Sequence, residues 1–144
     1  MLRHMAKGRL RTATVLDPQE DLLDLEGADA VILKALARVF EAWRVGGRDA
    51  AQLAGVSERT WSRMKTGEWS GRLNADQRLR ASALIGLFKG LRLYFSDRVA
   101  DRWPRSDNTG PLFRGVSPAT YMLRGGLPAI LETREYIDAV RGGL

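Results

Sequence analysis

The 144-residue sequence contains no cysteine, and that absence removes two classes of function at once. Without a thiol there is neither a disulfide framework nor a thiolate metal site. Only one histidine is present, His4, in a polar N-terminal stretch with no second imidazole to share a metal. No apolar run approaches the roughly 20 residues needed to span a bilayer. The opening residues MLRHMAKGRLR are basic, and no apolar core of a secretory signal follows them. They read either as residues ahead of a start at Met5 or as a basic arm, and the chain reads as cytoplasmic. No segment alternates with period two long enough to make a strand, and no internal repeat is present. Phosphate-binding glycine loops are missing too, because Gly46-Gly47 and Gly125-Gly126 lack the strand-to-helix context and the partner lysine. Glu132 and Glu135 stand three apart on one helix face and read as solvated carboxylates. The expectation is a protein that is not an enzyme and holds no metal and no cofactor.

What is present is an ordinary globular composition, 44% hydrophobic and 28% charged, with a formal charge of +6. The length suits one sizeable core or two small ones. A positive balance favours polyanions without by itself identifying one.

Helical signals organise the chain. The stretch from Asp17 to Asp29 is acidic and carries no Lys or Arg. Asp17-Pro18-Gln19-Glu20 is a helix start, with Asp17 as cap, Pro18 in first position and Glu20 two further on. A short helix bearing Leu22, Leu23 and Leu25 is expected there, its acidic side either solvated or a partner surface. From Ala28 to Arg44, Ile32, Leu36, Val39, Phe40 and Trp43 lie on one face of an amphipathic helix, ended by Gly46-Gly47. Asn74 with Gln77 opens the longest helix, expected to run to about Arg102 with Leu84, Leu87, Phe88, Leu91, Phe95 and Val99 inward. Trp103-Pro104 stops it, since proline disfavours helical geometry in the residue before it. Ser117-Pro118 starts another helix, Gly125-Gly126 breaks it, and Leu127 to Arg141 forms the last. The fold class is all-α.

The segment AAQLAGVSERTWSRMK, residues 50 to 65, meets the demands of a helix-turn-helix. Ala51 is small where two helices cross, and Gly55 tolerates a left-handed turn. Val56 plugs the turn, Ser57 caps the second helix, and Trp61 and Met64 supply its buried side. The outward side carries Glu58, Arg59, Ser62, Arg63 and Lys65. In a DNA reader the first turn of this helix enters the major groove, where arginine pairs with guanine. Arg59 and Arg63 share a face as base-reading candidates, with Ser57, Thr60 and Lys65 as phosphate contacts and Ser62 as a further DNA-binding candidate on the outward side. Trp61 fills a place usually held by a smaller branched residue, and Glu58 repels phosphate. The other reading is an alanine-rich helical hairpin with a solvated charged face.

The second half carries Leu73-Asn74-Ala75-Asp76-Gln77-Arg78-Leu79, Trp103, Asn108, Pro111-Leu112-Phe113, Gly115-Val116-Ser117-Pro118, Leu123, Gly125-Gly126 and Arg141-Gly142-Gly143. On these residues the chain resembles the antitoxins of the Xre/MbcA/ParS group over about 73 to 144. The helix-turn-helix at about 28 to 72 matches that group's usual N-terminal partner domain. Here Trp103 is followed by proline, and Thr109-Gly110 separates Asn108 from Pro111. Read for themselves, Trp103, Pro111, Leu112 and Phe113 form a lid expected to fold onto the long helix. Tyr136, Arg141, Gly142, Gly143 and Leu144 make a basic end that suits a partner's cleft.

The resemblance implies that the partner is a RES-domain toxin acting on NAD, by degrading it or by transferring ADP-ribose. It implies an antitoxin that binds near the toxin's active-site opening, with Arg141 meeting acidic groups or a phosphate subsite. The expected organisation is an arm and acidic segment (1–27), a helix-turn-helix domain (28–72) and a toxin-binding domain (73–144). Operator DNA is a second expected partner, through a homodimer within a toxin–antitoxin hetero-oligomer, because two half-sites need two readers. Gly86-x-x-x-Gly90 (GLFKG) suits either a tight crossing within the chain or the dimer surface. The rival readings are a transcription regulator whose second domain only dimerises, and an interaction protein that no longer touches DNA.

Overall fold

The computed structural model describes the backbone from Pro18 to Gly143 and side chains from Gly27 to Gly142. The basic arm, His4, the Asp17 cap and Leu144 lie outside the described residues, as do the side chains of Leu22, Leu23 and Leu25. Among the described residues the elements are α1 (Pro18–Ala42), α2 (Gly47–Ala54), α3 (Glu58–Thr66), α4 (Ala75–Tyr94), α5 (Asp97–Arg102) and α6 (Pro118–Gly143). A 3-10 turn at Trp103–Arg105 follows α5, and no strand is present among these residues.

Several boundaries differ from the expectation, each for a physical reason. The acidic segment and the helix after it are one continuous helix, α1, which runs straight through Gly27. A single glycine costs a helix only about 1 kcal/mol, too little to break one this long. Its end is set by Arg44, not by Gly46-Gly47. Arg44 takes a left-handed conformation (φ 54°), and the amides of Arg44 and Val45 donate to the Glu41 and Phe40 carbonyls at 3.0 and 2.8 Å. That is the Schellman arrangement, which satisfies the last carbonyls of the helix. Gly46 instead precedes α2 in extended geometry.

Asn74 opens α4 with a full capping box: its side chain accepts from the Gln77 amide, and the Gln77 side chain accepts from the Asn74 amide. The helix stops at Tyr94 and does not reach Arg102 unbroken. Phe95 and Ser96 are extended, and α5 folds back so that Arg92 bonds both Asp97 and Asp101 while lying 4.6 Å from the Phe88 ring centre. The Asp101 hydrogen bond holds the Arg92 guanidinium more firmly protonated than usual. Val99 is consequently exposed and Ala100 is the buried residue of α5. Trp103, although it precedes Pro104, keeps right-handed helical angles (φ −51°, ψ −45°), and the chain tightens into the 3-10 turn. Ser117 caps α6 by accepting from the Thr120 amide at 3.1 Å. Gly126 breaks α6 alone, with φ 68° and ψ −151°.

One core runs through the molecule. Leu36, Val39, Phe40 and Trp43 of α1 join Leu53, Trp61 and Met64 of the motif, Leu84, Leu87 and Leu91 of α4, and Met122, Ile130 and Ile137 of α6. The loop before α6 packs its aromatic ring onto α6. Phe113 packs edge-on to Tyr121 and Tyr136, and Trp103 stacks near Tyr136. Pro111 stays exposed. α6 lies directly on α4 because of Gly86 and Gly90. A Cβ at Gly86 would overlap the Arg134 guanidinium, and one at Gly90 would stand 3.2 Å from Ile137 Cγ2. The GLFKG stripe is therefore an intramolecular crossing, covered by α6 of the same chain and not open as a dimer surface.

Candidate nucleic-acid interface

The helix-turn-helix is built from α2, a turn at Gly55 and α3. Ala51 is buried to 2% exposure at the crossing. Gly55 is left-handed (φ 78°), and the Gly55 and Val56 amides donate to Gln52 and Ala51 carbonyls at 3.2 and 3.0 Å. The Ser57 hydroxyl oxygen accepts from the Thr60 amide at 3.1 Å and caps α3. Trp61 and Met64 are buried, and the Phe40 and Trp61 rings meet edge to face at 5.2 Å. The larger tryptophan is thus accommodated by a ring from α1.

Side chains on the other face of α3 are free of the core. Arg59, Ser62, Arg63 and Lys65 are all exposed, as is Glu58 in the first turn. Arg59 and Arg63 stand one turn apart, and neither pairs with a carboxylate among the described residues. Thr60 is half-buried, and the Ser57 hydroxyl donates to its oxygen at 3.0 Å, so these two form a local pair beside the arginines. Arg44, Arg48 and Arg72 add exposed cations just before and after the motif. The arrangement presents paired guanidiniums and hydroxyls on one convex helix face, chemistry that suits base edges and phosphates.

Sequence reasoning missed how firmly this motif is held. Arg80, on α4, is fixed by Asp76 at 2.8 Å and sends Nη1 to the Gln52 and Leu53 carbonyls at 3.3 and 3.4 Å. It caps the C-terminus of α2, where a cation also opposes the helix dipole. The same arginine lies against Gly55, where a Cβ would meet its Cδ at 2.9 Å. Gln52 donates Nε2 to the Leu123 carbonyl at 2.9 Å, close to the α6 break. The i, i+4 spacing of Asp76 and Arg80 was the available signal for the first contact; nothing local announced the second.

At the other end, Tyr136 is half-buried in the aromatic cluster with Trp103 and Phe113. Arg141 and Gly142 are exposed, and Arg141 Nη1 lies 3.6 Å from where a Cβ of Gly90 would be. Tyr136 is thus tied into packing while Arg141 and Gly142 open to solvent.

A family model described as the antitoxin Xre-like helix-turn-helix domain matches residues 23–86. The uncharacterized protein y4oB of Sinorhizobium fredii (strain NBRC 101917 / NGR234) is 35% identical over 112 residues, which cover 77% of this chain and 84% of that protein. The chain belongs to one family with y4oB and carries the antitoxin Xre-like helix-turn-helix domain. That Xre-like domain contains all of α2 and α3 and extends into α4, so the arginine that caps α2 is part of it. It is a regulatory, non-catalytic kind of domain. Among the described residues no cluster of three or more His, Asp or Glu is placed to hold a metal, and no helix is long and apolar enough to cross a membrane.

Proposed function

We propose that this chain is the antitoxin of a type II toxin–antitoxin pair. It neutralises a RES-domain toxin that consumes NAD or transfers ADP-ribose, by occluding the toxin's active site, and it represses its own operon in the cytoplasm. The observation that supports the reading best is the pairing of two surfaces on one body. An Xre-like antitoxin domain presents Arg59 and Arg63 outward, and a helical second half ends in the exposed Arg141 and Gly142. In this reading Ser57, Arg59, Thr60, Ser62, Arg63 and Lys65 meet the operator. The segment from Tyr136 through Arg141, Gly142, Gly143 and Leu144 meets the toxin, Tyr136 by holding the helix and Arg141 by charge. The helix-turn-helix (28–72) and the toxin-binding part (73–144) divide these tasks. The chain works as a homodimer inside the hetero-oligomer.

Co-expression with the product of the neighbouring gene tests this, followed by NAD-consumption and ADP-ribosylation assays with and without the chain. A stable complex with suppressed activity is the expected result, and Arg141→Ala is expected to weaken neutralisation. No complex and no inhibition would transfer the weight to the second reading, a helix-turn-helix transcription regulator. The outward Arg59 and Arg63, unpaired among the described residues, favour that reading on their own, and its mark is salt-sensitive, sequence-specific DNA binding without a toxin.

A further inference from the structure

Between α1 and the buried side of α3 lies an elongated cleft of about 710 Å³. Its floor is apolar: Leu33, Ala37 and Phe40 from α1 face Trp61 and Met64 from α3. Its rim is basic. Lys34, Arg38 and Lys65 border it against a single carboxylate, Glu41; all four are exposed, and none is ion-paired among the described residues. The lining on α1 from Ala30 to Glu41 is roughly 16 Å long at 1.5 Å per residue.

The sequence contains one segment of matching chemistry. The first nine residues of α1, Pro18 to Glu26, read PQEDLLDLE: four carboxylates, three leucines and no cation. As a helix they are roughly 14 Å long. Because α1 is one continuous helix, these first turns cannot bend back over a cleft lined by later turns of the same helix. The same segment on another molecule can. An acidic amphipathic helix laid in an apolar, basic-rimmed groove is a recurrent mode of docking.

We propose that this cleft receives the acidic start of α1 from a second copy of the chain, each copy giving one helix end and accepting the other. The contact is then isologous and closes as a two-fold dimer. Arg59, Ser62 and Arg63 do not line the cleft and are left clear by the docked helix, whereas Lys65, on the rim, is shared between this contact and the DNA-facing side. The proposal needs neither toxin nor operator, and its test stands apart from theirs.

Light scattering on the full chain over a concentration series is expected to approach twice the chain mass, more readily at low salt than at high. Reversing the segment (Glu20→Lys, Asp21→Lys, Asp24→Lys) or the rim (Lys34→Glu, Arg38→Glu) is expected to weaken the dimer about 100-fold or more, since like charges across an interface repel strongly. Mixing the two reversed variants restores both contacts and is expected to restore the double mass as a heterodimer. The milder Lys34→Gln, Arg38→Gln chain keeps the groove's shape and is expected to weaken dimerisation partially. A wild-type chain that stays monomeric throughout would overturn the proposal. So would a dimer indifferent to both the reversed and the neutral rim, or reversed variants that fold with native helical content yet do not pair when mixed.

Discussion

Asp29 and Arg78 are 49 residues apart in sequence and joined by a bidentate ion pair, with Nη2 and Nε of Arg78 at 2.9 and 3.1 Å from Oδ1 of Asp29. The other oxygen, Oδ2, accepts the Leu73 amide at 2.9 Å, and Asp29 is buried to 1% exposure. One carboxylate of α1 thereby orients the segment that leads into α4 and the first turn of α4 itself. A buried carboxylate is tolerable only with such partners, because an unpaired one would carry the full cost of desolvation.

Asp29→Ala should accordingly be the most damaging single change on α1 outside the apolar core. It leaves the Leu73 amide unpaired and the half-buried Arg78 without its partner. The expected loss is about 2 kcal/mol, below that for a fully buried pair because Arg78 keeps access to water. Urea unfolding of the two chains measures it. A change in midpoint worth less than a surface substitution would contradict the role given to Asp29.

Gly55 and Gly67 separate strain from crowding. Both are left-handed, but a Cβ at Gly55 would press on Arg80, whereas nothing lies within 4 Å at Gly67. Gly67→Ala should cost about 1 kcal/mol from backbone conformation alone. Gly55→Ala should cost more, because it also displaces the arginine that caps α2. Thermal unfolding of the two variants decides it, with the larger drop expected at position 55.

Arg59→Ala and Arg63→Ala should leave folding stability within about 0.5 kcal/mol, as exposed positions generally do. Under the proposed function they should weaken operator binding by about 1–3 kcal/mol each where they read a base. Lys65→Ala should weaken binding to all sequences alike and reduce the salt slope by about 1. Fluorescence anisotropy with upstream DNA across a salt series distinguishes these patterns. Unchanged affinity in all three variants would remove α3 as the reading helix.

Tyr121 donates its hydroxyl to Glu132 at 2.8 Å, and this bond raises the tyrosine pKa above its ordinary 10.0. A group whose pKa is raised by folding contributes stability below its unfolded value and loses that contribution as pH climbs through the folded one. The effect therefore belongs to the alkaline range above pH 10. Ultraviolet titration should show the Tyr121 ionisation late, and Glu132→Gln should bring it earlier. Coincident titration curves would rule the bond out in solution.

The sequence by itself determined several features whose cause lies within a turn or two of chain. The left-handed Gly55, the Ser57 and Ser117 caps and the Asn74–Gln77 box were all legible from short spacings. Tertiary structure alone decided the rest. Apolar periodicity carried the long helix on through Phe95, but Arg92 reaches Asp97 and Asp101 only if the chain folds back there. The acidic stretch reads as solvated or as a partner surface, yet Asp29 is buried because Arg78 and Leu73, distant in sequence, arrive beside it. Tyr136 looked like part of a free end until Trp103 and Phe113 closed around it. Caps and turns are satisfied by neighbours in sequence and can be read from composition and spacing. A buried charge, a broken helix or a clamp such as Gln52 on Leu123 depends on which surfaces the topology brings together, and only the folded chain contains that information.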